Sequence, residues 1–175
     1  MEPDTPPLLP PSQLWKSLSA ESKLAATGEF WQDDGAVSEQ AEAVALIAQR
    51  IKFRAKSVLS MPVDRKARHL ATLGGLSEAV AARLLVSYHL DQRRPLMGRF
   101  LDLLGIAHED GLISEEDIEP PTPEQVTAAA KALTAEHSPD DVSLYFSTLL
   151  WQDPVTWGAL SDVQEWAVTP RETTS

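Results

Sequence analysis

The sequence of 175 residues contains no cysteine, and this absence removes several kinds of chemistry at once. Disulfides, thiolate nucleophiles and cysteine-based zinc or iron–sulfur sites are excluded. No apolar run approaches the roughly 20 residues that a membrane-spanning helix needs, and the N-terminus lacks the basic and apolar regions of a secretory signal. We therefore expect a cytoplasmic protein that has no membrane partner.

Signatures of catalysis and of cofactor binding are also missing. The GxSxG motif, the P-loop and the dinucleotide fingerprint do not occur. The four histidines are at least 19 residues apart, so none forms the i, i+3 or i, i+4 pair of a helical metal site. We predict no catalytic residues, no metal site and no cofactor, and the sequence does not favour an enzyme.

The composition that is present indicates a helical globular protein. Hydrophobic residues make up 43% of the chain and charged residues 23%, which is ordinary for a domain that buries its own core. Apolar residues recur at helical spacing between Gly, Pro and Asp breaks, and Thr122 with Gln125 resembles a capping box. The helix from Ser77 to about Asp91 is apolar almost all round, so we expect it inside the fold. The predicted fold is an all-α, irregular single-domain bundle of about seven to nine helices.

Proline marks the first boundary in the chain. Residues 1–11 hold five of the 13 prolines and predict a disordered, extended tail. The helical domain should cover residues 12–168, followed by a disordered tail over 169–175. The acidic, proline-containing loop at 106–123 is a candidate subdivision, although the roughly 50 residues beyond it are few for an independent core.

Charge is distributed unevenly along the chain. The formal net charge is -11, which argues against an indiscriminate nucleic-acid binder. Residues 50–99 nevertheless contain 11 of the 15 basic residues and only three acidic ones, giving +8 for this segment and -19 for the remainder. Three hypotheses follow: acidic helices neutralise the segment within one molecule or across a dimer, the segment docks an acidic protein, or it contacts nucleic-acid phosphates.

Helical phase separates two kinds of basic residue in this segment. A helix predicted over 38–59 carries an apolar stripe that is bordered by Arg50, Lys52, Arg54 and Lys56. Basic side chains in such positions usually cover the core with their stems. The basic residues that core packing explains least are the predicted partner-binding set, namely Arg65, Lys66, Arg68, Arg93 and Arg94. The leading hypothesis is a protein-interaction or adaptor module that docks an acidic protein partner, or self-associates, through this basic central segment.

The segment 65–90 supplies the alternative function. A small residue, Ala71, precedes a glycine-containing turn and an apolar helix capped by Ser77, and this pattern resembles a helix-turn-helix. The first turns of that second helix offer Glu78 and alanines, which are poorly suited to reading base edges. Arg83 is then the candidate nucleic-acid contact. The alternative is a nucleic-acid-binding regulator.

Overall fold

The computed structural model of the chain describes residues 9–113 and 119–163. Within these ranges it contains nine α-helices, two short 3-10 helices and one two-stranded hairpin. The predicted fold class, all-α with seven to nine helices, is confirmed. The predicted tails, 1–11 and 169–175, lie outside the described residues except for Leu9–Pro11, and helix α1 already begins at Pro11.

Residue contacts divide the chain into two compact units. The N-terminal unit is Leu9–Arg93, and the C-terminal unit begins at Arg94, ahead of the loop at 106–123. The helices of the N-terminal unit are α1 Pro11–Lys16, α2 Ala20–Gln32, α3 Val37–Ile51, α4 Ala55–Leu59, α5 Val63–Ala71 and α6 Glu78–Gln92. Those of the C-terminal unit are α7 Arg94–Leu104, α8 Pro123–Glu136 and α9 Pro139–Gln152.

Helix α2 organises the packing of the N-terminal unit. It begins at the cap of Ser19, whose hydroxyl accepts the Ser22 N–H at 3.1 Å, and it packs on both α5 and α6. Phe30 on α2 is completely buried. Helix α6 is buried, as its apolar sequence predicts, because it contacts α1, α2 and α3 and encloses Leu84 and Leu85. Each such leucine contributes about 1.5–3 kcal/mol through removal of apolar surface from water.

The helix predicted over 38–59 is in fact two helices, α3 and α4. The first ends where Lys52 adopts a left-handed conformation, with φ 59° and ψ 39°, and the Phe53 N–H then donates to the Ala48 carbonyl at 3.0 Å. A non-glycine residue in this conformation costs about 1–2 kcal/mol. Val58 returns the chain to the core and is fully buried. The apolar spacing continues across the break, which is why the sequence did not reveal it.

The C-terminal unit is built around an aromatic core. Phe100 on α7 is fully buried, and its ring centroid lies 5.1 Å from that of Phe146 and 5.8 Å from that of Tyr145 on α9. The predicted capping box opens α8: the Gln125 N–H donates to the Thr122 hydroxyl at 3.2 Å, and the Thr122 N–H donates to the Gln125 side chain at 2.9 Å. These contacts join α7, α8 and α9 around one core.

A two-stranded hairpin follows α7. Strands β1 (His108–Glu109) and β2 (Leu112–Ile113) are antiparallel, and the turn residues Asp110 and Gly111 have φ 52° and 85°, as a type I′ turn requires. The Gly111 N–H donates to His108 Nδ1 at 3.0 Å, so Nε2 carries the proton and donates to Asp102 at 2.7 Å. These bonds attach the hairpin to α7. Among the helices that the structure describes, none is long and apolar enough to cross a membrane.

Candidate protein-interaction surface

One stretch of the N-terminal unit combines the exposed basic side chains of α3, α4 and α5. We call it the basic surface, and its members are Arg50, Lys52, Arg54, Lys56, Arg65 and Arg68, all of which are exposed. Helices α4 and α5 both contact α3, so the three helices present these residues on adjoining elements. Within residues 9–113 and 119–163, none of the six takes part in an ion pair.

Apolar side chains lie among these cations. Phe53, between Lys52 and Arg54 in the sequence, is 53% exposed, and Leu59 at the end of α4 is 59% exposed. Val63, at the start of α5, is also exposed. A mixture of cations with an exposed aromatic ring is typical of an interface, where aromatic residues contribute most of the affinity.

Buried side chains and one hydrogen bond fix the positions of the helices that carry the basic surface. Val58, Ala67 and Leu70 anchor α4 and α5 in the core, and the Thr72 hydroxyl closes the end of α5 by donating to the Arg68 carbonyl at 2.9 Å. A depression of about 180 Å³ is lined by both Arg50 and Thr72, which places the end of α3 beside the end of α5. The only acidic residue between Arg50 and Arg68 is Asp64.

The five predicted partner-binding residues differ in their exposure and in their contacts. Arg65 and Arg68 are exposed and belong to the basic surface. The Lys66 ammonium lies 4.8 Å from the centroid of the Trp31 ring, and the Arg93 guanidinium carbon lies 5.6 Å from that of the Tyr88 ring. Arg94 belongs to the C-terminal unit, where its Nη1 lies 3.7 Å from Asp110 Oδ2.

Within the N-terminal unit, the structure does not bring Lys66 and Arg93 together. Lys66 stacks near the C-terminal end of α2, on Trp31. The neighbour of Arg93 in sequence, Gln92, instead donates to the Ser22 carbonyl near the N-terminal end of α2, at 3.0 Å. Ser22 and Trp31 are nine positions apart, which corresponds to about 13 Å of helix. Arg93 is therefore near the opposite end of α2 from Lys66.

Sequence reasoning missed four members of the basic surface. Arg50, Lys52, Arg54 and Lys56 were expected to cover the core, because the helix over 38–59 was predicted to be continuous. All four side chains are exposed instead, and the break at Lys52 ends the continuous helix on which that expectation depended. The available signal was the alternation Lys52-Phe53-Arg54-Ala55-Lys56, in which cations surround an aromatic residue that lies off the apolar stripe.

Arg83, the candidate nucleic-acid contact, is occupied within the protein. Its Nη2 lies 2.6 Å from Asp33 Oδ2, and its side chain is 27% exposed. Helices α5 and α6 pack on α2 rather than extensively on each other, and six residues join them. In a helix-turn-helix, a turn of three or four residues joins the two helices and the second presents an exposed recognition face. The buried α6 does not present such a face.

The ionisable groups with shifted pKa values in the described residues lie in the C-terminal unit. Arg99 binds Glu136 through two bonds of 2.8 Å, and this hydrogen bonding lowers the pKa of Glu136 and raises that of Arg99. Burial raises the pKa of Tyr145 far above its usual range, so this phenol stays neutral. In the part of the chain that the structure describes, no three His, Asp or Glu side chains are grouped to hold a metal ion.

Comparisons of the chain with models of protein families, with curated proteins and with solved structures find no match. The function is therefore inferred from the charge and exposure of the basic surface.

Proposed function

We propose that this protein is an interaction module that binds an acidic protein partner on the basic surface. The observation that carries the proposal is the set of six exposed cations that make no ion pair in the described chain. The nearby exposed Phe53 and Leu59 would add contact area that charge alone does not supply.

Mutual repulsion among these cations explains why a partner should be acidic. The six lie within 19 residues of sequence, together with Lys66 and only one carboxylate, Asp64. Like charges at this density repel one another, and an acidic surface relieves the repulsion while attracting the partner over about 8–10 Å in physiological salt. Charge would thus set the association rate, and burial of Phe53 would set the lifetime of the complex.

Nucleic acid is the competing polyanion. The buried α6 and the ion pair of Arg83 with Asp33 do not support recognition through the segment 65–90. Phosphates could still contact the basic surface, but a chain with net charge -11 repels a long polyanion more strongly than a compact acidic protein. A fluorescent duplex therefore serves as a separate arm of the test.

The test compares charge reversals inside and outside the basic surface. Tagged wild-type protein and the variants Arg54→Glu, Arg65→Glu and Lys131→Glu are purified from the source cells, and co-purifying proteins are quantified by mass spectrometry. Lys131 is an exposed basic residue of the C-terminal unit, so its reversal matches the charge change. We expect acidic proteins that are depleted at least about tenfold, or about 1.4 kcal/mol, by both arginine reversals and are retained by Lys131→Glu.

The purified partner is then measured directly against each variant. Binding that survives Arg54→Glu and Arg65→Glu unchanged would contradict the proposal. Tight binding of the duplex to wild-type protein, with a steep fall as salt rises and loss in both reversals, would assign the basic surface to nucleic acid instead.

A further inference from the structure

A second potential binding site lies in the N-terminal unit. None of the six residues of the basic surface lines it, although Thr72 lines both this site and the depression beside Arg50. A partly open cavity of about 480 Å³ is lined by α1, by α2, by the end of α5 and by the loop that joins α5 to α6. This volume falls within the range of small-molecule sites, roughly 300–1,000 Å³. We propose that the cavity binds a small organic carboxylate with an apolar body.

Two lysines give the cavity its charge. Lys16, in the last turn of α1, and Lys23, on α2, both line it. Neither forms an ion pair in residues 9–113 and 119–163. None of the described lining residues is acidic, so the cavity itself favours an anion.

The loop contributes backbone donors. Gly74, Gly75 and Leu76 line the cavity, and among the described residues their N–H groups have no hydrogen-bond acceptor. A Cβ atom at Gly74 or Gly75 would meet no other atom within 4 Å, so there is open space beside this backbone. N–H groups without an acceptor, in a cavity that two lysines also line, are suitable donors to carboxylate oxygens.

A carboxylate at the margin of the cavity limits the charge of the ligand. Ser12, another lining residue, donates its N–H and its hydroxyl to Glu78, at 3.0 and 2.6 Å. Glu78 therefore offsets one of the two lysine charges, which favours a single negative charge over the dianion of a phosphate monoester. Trp15, which is 3% exposed, and Leu76 supply the apolar part of the lining.

The test uses decanoate as the probe, because it joins one carboxylate to an apolar chain. The full-length ¹⁵N-labelled protein is titrated with decanoate, with decan-1-ol and with inorganic phosphate, and the amide resonances of Gly74 and Gly75 are followed by NMR. We expect saturable shifts of both amides with decanoate only. Binding should weaken at least about tenfold in the double variant Lys16→Ala/Lys23→Ala and should be unchanged in Lys56→Ala, which alters the basic surface instead.

A second variant tests the cavity independently, in case the double lysine variant does not fold. Gly74 has an ordinary φ and open space around it, so Gly74→Val should keep the native spectrum while adding bulk to the lining, and decanoate binding should fall. The proposal is overturned if Gly74 and Gly75 do not respond to decanoate, if the lysine variant binds as well as wild type, or if decan-1-ol or phosphate binds equally well. These outcomes are independent of the proposed function, because none of them involves the basic surface.

Discussion

The two units differ most in how they use their charges. The N-terminal unit, residues 9–93, contains 11 basic and nine acidic residues, whereas residues 94–175 contain four basic and 15 acidic ones. In the C-terminal unit, Arg94 and Arg99 both face carboxylates. In the N-terminal unit, the six cations of the basic surface make no ion pair within the described residues.

This difference shows that a unit whose net charge is close to zero contains a strongly basic surface. The N-terminal unit has nine acidic residues, but only Asp64 lies between Arg50 and Arg68, and two others have partners elsewhere: Asp33 binds Arg83, and Glu78 binds Ser12. The basic surface is thus uncompensated locally even though its unit carries only about two net positive charges. Local pairing, rather than net charge, distinguishes a docking surface from a solvated helix face.

The largest expected effect is on the free energy of unfolding, and it appears when one aromatic residue from each unit is replaced by alanine. Phe100→Ala should destabilise the protein by about 3–5 kcal/mol, because Phe100 is fully buried against three aromatic rings. Phe53→Ala should change the free energy of unfolding by less than about 0.5 kcal/mol, since the ring is half exposed. Chemical denaturation measures both values. A large destabilisation by Phe53→Ala would mean that the ring belongs to the core and not to an interface.

A smaller effect is expected from two loop glycines. Gly111→Ala in the hairpin should cost about 1–3 kcal/mol, because φ is 85° and the added Cβ would lie 3.0 Å from the Arg94 carbonyl oxygen. Gly74→Ala should be neutral or stabilising by up to about 1 kcal/mol, because its Cβ meets open space. Thermal unfolding of the two variants tests this contrast, and similar melting temperatures would contradict it.

Removal of the ion pair between Asp33 and Arg83 should have a moderate effect on the free energy of unfolding. Asp33 accepts from the Gly35 N–H at 2.9 Å with one oxygen and binds Arg83 with the other. Asp33→Ala should therefore cost about 1–2 kcal/mol, and Arg83→Met should cost less because the hydrogen bond between Gly35 and Asp33 remains. Urea denaturation compares the two variants. A larger cost for Arg83→Met would show that this hydrogen bond contributes little.

The smallest expected effect is the loss, at low pH, of the stability that the exposed ion pair of Arg99 and Glu136 contributes. Hydrogen bonding to Arg99 lowers the pKa of Glu136, so the pair stabilises the folded state above the unfolded pKa of about 4.3 and loses this contribution as the pH falls through the folded pKa. The difference in stability between wild type and Arg99→Gln should therefore be constant above about pH 5 and vanish in stronger acid.

The matched change on the basic surface is Arg65→Gln, for which no ion pair exists among the described residues. Its stability difference from wild type should not show this acid transition. Parallel pH profiles for the two variants would contradict the contrast between paired and unpaired cations.

The helices were predictable because their signals are local. Ser19, Ser77 and Thr122 cap helices where the sequence placed Ser or Thr before an apolar run, and the all-round apolar α6 is buried. The break at Lys52 was not predictable from periodicity. The preference for a left-handed residue there comes from packing α4 back on α3, and no glycine marks it.

The candidate surface was predicted only in part. Arg65 and Arg68 are exposed as expected, whereas Lys66 and Arg93 stack on the rings of Trp31 and Tyr88. Trp31 lies on a different helix from Lys66, and Tyr88 lies five residues before Arg93. The two contacts depend on how the side chains pack in the folded protein, which the number of charges in the sequence does not predict. The division at Arg93, between α6 and α7, likewise depends on contacts rather than composition.

Docking of an acidic partner on the basic surface is tested most sharply by the association rate of the purified partner with wild-type protein and with Arg54→Glu, measured by stopped flow between about 50 and 200 mM salt. We expect the wild-type rate to fall steeply as salt rises, Arg54→Glu to be slower and less sensitive to salt, and Lys131→Glu to behave like wild type. A wild-type rate that does not change with salt, or an Arg54→Glu rate equal to it, would show that the basic surface does not dock the partner.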